Sequence, residues 1–265
     1  MATSTLPALG RLLIFDPTDD NTPVGDLPGH EQNSLALVVA ADAGALLRMP
    51  ITPPEANKVE RKVEAVLGAD GSLKANLMEL TAGQSAVDER RAFRGLSKPD
   101  YLKLIERWIT RGATGASVTR VDPVDNTAEG KFSLNVEFSA AHYGQVPQGR
   151  LLIFKPAIVS RRESLFLTDG LRQHPVMLDA HAYSESVKVK LPEGFEVDEI
   201  PDAVKMDTPF GNYSTTYEVK DGTLYFTRSL VVRGAAIPVS EYDKVKRFYS
   251  MIYAAEQAPI VLAKK

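Results

Sequence analysis

Two ten-residue runs flanking Asp221-Gly222 constrain this chain more than any other feature. Phe210 to Val219 and Thr223 to Val232 are both rich in β-branched and aromatic residues. Asp-Gly between such runs favours the left-handed backbone that a two-residue hairpin turn requires. The same period of two appears upstream. Val59, Arg61, Val63 and Ala65 fall on one face of an extended segment, and Lys58, Glu60, Lys62 and Glu64 on the other. That is a half-buried strand. Asp70-Gly71 is a second turn signal, with Leu73 to Leu80 as the partner strand.

Further strands are expected at Leu12–Phe15, Ser34–Ala40, Ala45–Met49, Ser117–Val121, Gly130–Ser139 and Arg150–Phe154, at the Val187-Val189-Leu191 alternation, and at the closing Ile260-Val261-Leu262. Residues 1–10 read as a loose leader and Asp122 to Gly130 as a turn region. Residues 156–181 read as irregular, with Leu165-Phe166-Leu167 free to pair somewhere.

Helical spacing interrupts the strands twice. Ser97-Lys98-Pro99-Asp100 is a capping sequence, Tyr101, Ile105, Trp108 and Ile109 recur on one face, and Gly112 ends the run. A shorter helix rich in Arg and Glu is expected over 84–94. Ser240 opens the last helix, with Tyr242, Val245, Tyr249 and Ile252 as its apolar face. Strands and helices do not alternate, which argues against a doubly wound sheet. The pattern predicts an α+β fold, mainly antiparallel, with a β-sandwich-like body, a helical insertion and a C-terminal helix. Pro50, Pro53 and Pro54 mark a boundary, giving units 1–54 and 55–265. The apolar runs of residues 11–50 predict that this stretch docks on the following domain as extra strands.

Chemistry is constrained mostly by what is absent. The chain has no cysteine, which removes disulfides, thiolate metal sites and thiol nucleophiles together. A net charge of −3 gives no electrostatic grip on nucleic acid. No window reaches the ~20 apolar residues of a membrane span. Met1 to Gly10 lacks a basic residue ahead of an apolar stretch, so it does not read as a signal peptide. No phosphate-binding glycine motif and no Gly-x-Ser-x-Gly turn occurs, and no cofactor is expected. His30, His142, His174 and His181 sit in no recognisable catalytic setting. Asp16 to Asn21 and Asp122 to Asn126 are oxygen-rich loops without EF-hand spacing, and no metal is expected. The doublets Arg90-Arg91 and Arg161-Arg162 are expected to be solvated edges. The aromatic sets Tyr213, Tyr217, Tyr225, Phe226 and Tyr242, Phe248, Tyr249, Tyr253 read as core between sheet and helix.

Leu12-Leu13-Ile14-Phe15-Asp16-Pro17-Thr18 resembles the last catalytic strand of bacterial transglutaminase-like cores. Gly25-Asp26-Leu27-Pro28 and Gln32 to Val39 continue the match. Leu191-Pro192-Glu193-Gly194-Phe195, Ile200-Pro201, Phe210-Gly211-Asn212-Tyr213 and Ile260-Val261-Leu262 are similar to the C-terminal β-domain of unknown role that follows such cores. The resemblance implies an exported, periplasmic or cell-surface parent, with any export signal outside this sequence. It implies that Asp16 is the orienting acid of a Cys-His-Asp triad whose Cys and His are missing here. Residues 1–54 would then be the tail of an incomplete core, the chain being truncated or split. An acid alone cannot do the nucleophile's work. The implied role is a non-catalytic accessory module whose partner is a transglutaminase-like catalytic core. The alternative is a component of a split enzyme that lends Asp16 to a partner chain.

Overall fold

A computed structural model describes residues 3–6, 10–40, 43–162, 167 and 172–265. The N-terminal strands are β1 (Thr3–Leu6), β2 (Gly10–Leu13), β3 (Leu35–Ala40) and β4 (Ala43–Arg48). The next group is β5 (Lys58–Leu67), β6 (Leu73–Ala82), helices α1 (Gln84–Gly95) and α2 (Lys98–Gly112), β7 (Ala116–Asn126), β8 (Lys131–Ala140) and β9 (Leu151–Phe154). The last group is β10 (Val176–Leu178), β11 (His181–Lys190), β12 (Phe195–Glu199), β13 (Lys205–Thr208), β14 (Gly211–Lys220), β15 (Thr223–Val232), β16 (Ala235–Ile237), α3 (Tyr242–Gln257) and β17 (Ile260–Lys264).

Eight strands form the main sheet in the order β13-β14-β15-β11-β5-β6-β8-β7. Every junction is antiparallel except β5 with β11, which run parallel in the centre. The hairpin at Asp221-Gly222 forms as expected, with both residues at positive φ (50° and 67°). One face of the sheet is covered, and the other carries Lys, Glu, Ser and Thr side chains toward solvent. This is the alternation of an antiparallel sheet wetted on one side.

Two apolar clusters cover the inner face. In the first, Val63, Leu77, Val136 and Phe226 of the main sheet meet Tyr101, Ile105, Trp108 and Ile109 of α2. Leu152, Phe154, Ile260 and Leu262 join them from a three-stranded sheet ordered β12-β17-β9. This sheet-on-sheet part is the sandwich, and α2 extends the cover. In the second cluster, Val245, Phe248 and Ile252 of α3 pack on Tyr183, Tyr213, Leu230 and Val232. Each such large apolar side chain contributes about 1.5–3 kcal/mol of burial. On α3 it is Phe248 that is fully buried, with Tyr249 only partly so. The Tyr and Phe residues of the β14–β15 hairpin are divided by the same alternation. Tyr213 and Phe226 point inward, Tyr217 packs at the margin, and Tyr225 is exposed on the far face.

Local chemistry sets the helix ends. Ser97 Oγ accepts the Asp100 N–H at the start of α2, as its sequence predicts. Gly83 precedes α1 at φ 63°, and a Cβ there would stand 2.3 Å from the Ala56 carbonyl. Asn57 Oδ1 then accepts the Gln84 N–H at 3.0 Å, so α1 is pinned to the start of β5.

Several expectations are corrected. The leader is not loose throughout, because Thr3–Leu6 pairs with Gly10–Leu13, and that second strand ends at Leu13 rather than Phe15. β7 runs through Pro123 to Asn126 instead of turning at Asp122. Proline is tolerated there because β7 is the edge of the sheet and its nitrogen owes no ladder bond. Within the irregular stretch 156–181, Val176–Leu178 pairs with Ala235–Ile237. Leu165, Phe166 and the turn residue Asp42 lie outside the described residues. The described residues of the stretch 11–50 contact the following domain, but not as added strands of the main sheet. β1–β2 and β3–β4 are separate two-stranded sheets, and the loop between them makes the contact. Leu27 O accepts from Gln84 at 2.8 Å, Asn21 O accepts from Arg90 at 2.8 Å, and Asp19 pairs with Arg91 at 3.2 Å.

Candidate functional site: a cleft over a buried charge row

The alternation of β5 places Arg61 on the inner face between Val59 and Val63. Registers across the sheet put Glu79 opposite it on β6, Glu185 opposite it on β11, Arg228 opposite Glu185 on β15, and Thr215 opposite Arg228 on β14. The result is one transverse row, Thr215-Arg228-Glu185-Arg61-Glu79, of alternating charge. Its ion pairs are short: Arg228 Nε to Glu185 Oε2 is 2.6 Å, Arg61 Nη1 to Glu185 Oε1 is 3.2 Å, and Arg61 Nε to Glu79 Oε2 is 2.7 Å. The row lies along the seam between the two apolar clusters. Tyr183, Leu230 and Tyr213 are on one side, and Val63, Val187, Leu77 and Phe226 are on the other.

Loop 155–162 and the helices complete the charge balance. The Val159 carbonyl accepts from both Arg61 and Arg228. Arg161 donates to Glu256 of α3 at 2.5 Å, and Arg228 also pairs with Glu256 at 3.1 Å. Arg162 pairs with Glu89 of α1 and lies 3.4 Å from Glu79. Its guanidinium stacks on the Trp108 ring at 3.7 Å, with Arg61 over the same ring at 4.9 Å. The Trp108 indole N–H donates to Ser160 O at 2.9 Å. Four arginines thus meet four glutamates out of bulk water. Burial alone would neutralise Glu79, but Arg61 and Arg162 outweigh it and hold its carboxyl below the usual range. Burial likewise works against the charge on Arg228, and Glu185, Tyr183 and Glu256 outweigh it, holding Arg228 above its ordinary value. Burial pushes Arg162 down to about 10, so it still carries its charge at neutral pH.

A cleft of about 680 Å³ opens above this row. Arg61, Glu79, Arg161 and Arg162 line its floor, and Gln84, Ser85, Asp88 and Glu89 of α1 form one wall. Met177 to His181 and Ala235–Ala236 form the facing wall, and loop 28–33 forms the lip. The volume lies in the range of small-molecule sites.

The arginine doublets are corrected here. Arg90, Arg161 and Arg162 are interior residues and not solvated edges. Arg90 is fully buried, bonding Asp125 Oδ1 at 2.8 Å, and Asp125 also pairs with Arg94 at 2.7 Å. Asp16 to Asn21 serves as a turn, and Asp122 to Asn126 lies in β7, where Asp125 is a counter-charge. Asp19 accepts from Asn21 and Thr22, and among the described residues no group of three His, Asp or Glu is placed to hold a metal. His30 lies on the lip of the cleft, while His142 and His174 are exposed elsewhere. His181 stands at the cleft wall with Nδ1 3.0 Å from Asp179 O, and burial pushes its pKa down. Asp16 accepts the Thr18 N–H at 2.8 Å and the Thr18 hydroxyl at 2.7 Å, and these bonds hold its carboxyl below the usual range. Among the described residues no hydrogen bond joins Asp16 to a histidine. The signal that could have revealed the row is a charge on the inward face of an alternating strand, as Arg61 is on β5 and Arg228, between Phe226 and Leu230, is on β15.

The C-terminal part of this architecture has relatives. Residues 150–262 match DUF3858, a domain of unknown function with a solved structure. The DUF3858 span starts at β9 and ends within β17, so it holds β11, β14, β15 and α3 with Glu185, Arg228 and Glu256. Arg61, Glu79 and Glu89 lie outside it, so the charge row crosses the edge of the DUF3858 match. No curated protein matches the chain. Among the described residues no helix is long and apolar enough to cross a membrane.

Proposed function

We propose that this chain is a non-catalytic accessory module of a transglutaminase-like protein, docking on the catalytic core and shaping its substrate cleft. The observation that carries the reading is the β3–β4 hairpin. One face packs Ala36 and Leu47 against Leu27, Met49 and Ile14. The other face leaves Leu35, Leu37, Val39 and Leu46 open, with Leu37 65% and Val39 76% exposed. A two-stranded sheet apolar on both faces needs cover on both. The strand-to-turn segment Leu12 to Thr18, which resembles the end of a transglutaminase core, packs on the covered face through Ile14, so the uncovered face is where the rest of such a core would lie.

The test is to co-purify the chain with the polypeptide encoded immediately upstream of it. A Cys- and His-bearing core that binds wild type, and binds Leu37→Lys at least tenfold more weakly, supports the reading. An upstream frame without such a core, or a core indifferent to Leu37→Lys, overturns it. Adding Asp16→Ala to the same mixture separates the module from a split enzyme. Loss of acyl transfer with binding intact would mean that Asp16 completes the triad.

A further inference from the structure

Arg162 differs from the other guanidiniums of the buried row. Its side chain is 26% exposed, against 1% for Arg61 and Arg228 and 8% for Arg161, so of the arginines in the cleft floor it is the most open. Trp108 closes one of its faces and Glu89 holds Nη1. Nε and Nη2 are shielded from bulk water and, among the described residues, have no hydrogen-bond acceptor. Glu79 Oε1, 3.4 Å from Nη2, is close enough to attract but makes no hydrogen bond. In a guanidinium these two nitrogens share one edge, the fork that takes both oxygens of a carboxylate. A buried donor without an acceptor calls for a partner. Farther out, the cleft changes sign. Asp88 and Asp179 are exposed along its walls, and Asp88 lies 3.3 Å from Arg91. Met177, Ala236 and Ile51 supply apolar surface between.

We propose that the cleft binds a small zwitterion of the amino-acid or dipeptide class, with its carboxylate on the Nε–Nη2 edge of Arg162 and its ammonium toward Asp88 and Asp179. A small swing of the Arg162 side chain, giving up the loose Glu79 contact, brings that edge to the guest. The carboxylate gains two charge-assisted bonds in place of an unfilled pair of donors, and the ammonium reaches acids that remain partly hydrated. This site is independent of the hairpin face and of any catalytic core.

The chain reports on its own ligand, because Trp108 is its single tryptophan and touches Arg162. Glycylglycine titrated into the full chain is expected to change Trp108 emission saturably. Glycinamide-terminated glycylglycine, which lacks the carboxylate, and N-acetylglycine, which lacks the ammonium, should each bind at least tenfold more weakly. Arg162→Lys keeps a cation for Glu79 and Glu89 but has no fork, and should also lose at least tenfold in affinity. Its far-UV circular dichroism shows whether it is folded, and Asp88→Asn/Asp179→Asn tests the other end of the ligand without touching the row. No saturable response to glycylglycine in the wild type, or equal affinity for the amide, or unchanged affinity in both variants, overturns the proposal.

Discussion

Arg61 and Glu185 face each other across the one parallel junction of the main sheet, 3.2 Å apart and with side chains 1% and 0% exposed. Burying either charge without the other would carry a large desolvation cost. Glu185 is held a second time by Arg228, and Arg61 a second time by Glu79, so both charges of this pair have an opposite charge on each flank. The pair also fixes register. A slip of β11 by one residue against β5 would turn Glu185 outward and bring Ser184 or Ser186, neither of them charged, opposite Arg61.

Removing one member of this row should be far worse than removing a surface ion pair. Glu185→Ala leaves two guanidiniums without their shared carboxylate and is expected to cost about 3–5 kcal/mol. Urea denaturation of the two proteins checks it. The double variant Glu185→Leu/Arg61→Met should recover part of that loss, and a double change no better than the single one would show that the two charges are not coupled.

Helix α2 approaches loop 158–160 so closely that only glycine fits at the contact. A Cβ on Gly112 would lie 2.3 Å from Ile158 O and 2.9 Å from the Val159 Cα. Gly112→Ala should therefore push the helix end off the loop and cost about 1–3 kcal/mol, as overpacking does. The same shift loosens the Trp108 N–H bond to Ser160, so emission from Trp108 should move to longer wavelength. Unchanged stability and emission would contradict the close approach.

Stability should fall as the medium is acidified, in two separate windows. His181 has a folded pKa below its ordinary 6.5, because burial disfavours the cation. The unfolded chain therefore takes up that proton first, and stability is lost as pH drops from 6.5 toward the lower folded value. Glu79, whose ordinary value is 4.5, and Asp125, whose ordinary value is 3.8, are held lower in the fold by their arginines, although burial opposes this. Their contribution is full above those ordinary values and is lost as pH falls through the depressed ones. Denaturant midpoints measured across pH should show both declines, and His181→Asn should remove the upper one alone.

Leu37 stands on the open hairpin face and touches little of this chain. Leu37→Lys is expected to change its thermal stability by within about 0.5 kcal/mol, the range of surface substitutions. It should also reduce self-association at high concentration, which light scattering would show. A large loss of stability would mean that this face is already packed within the chain.

Much of the fold was legible in local pattern. The Asp221-Gly222 hairpin, the alternation from Lys58 to Ala65 and the Ser97 cap of α2 are properties of a few consecutive residues, because backbone preference and side-chain period act over that range. The α+β class follows from their order along the chain. The candidate site was not legible in the same way. Arg90, Arg161 and Arg162 look like surface doublets, since nothing beside them in sequence reveals an acid 35, 95 or 83 to 73 positions away; the pairs Arg90–Asp125, Arg161–Glu256, Arg162–Glu79 and Arg162–Glu89 exist only once the sheet and helices have packed. The parallel join of β5 to β11 and the cleft above it were likewise decided by tertiary structure. Strand pairing at long separation is chosen by which apolar faces can be buried together and which charges can be neutralised on the way. That choice is a property of the whole packed chain, whereas the amino-acid sequence by itself determined the elements that were available to make it.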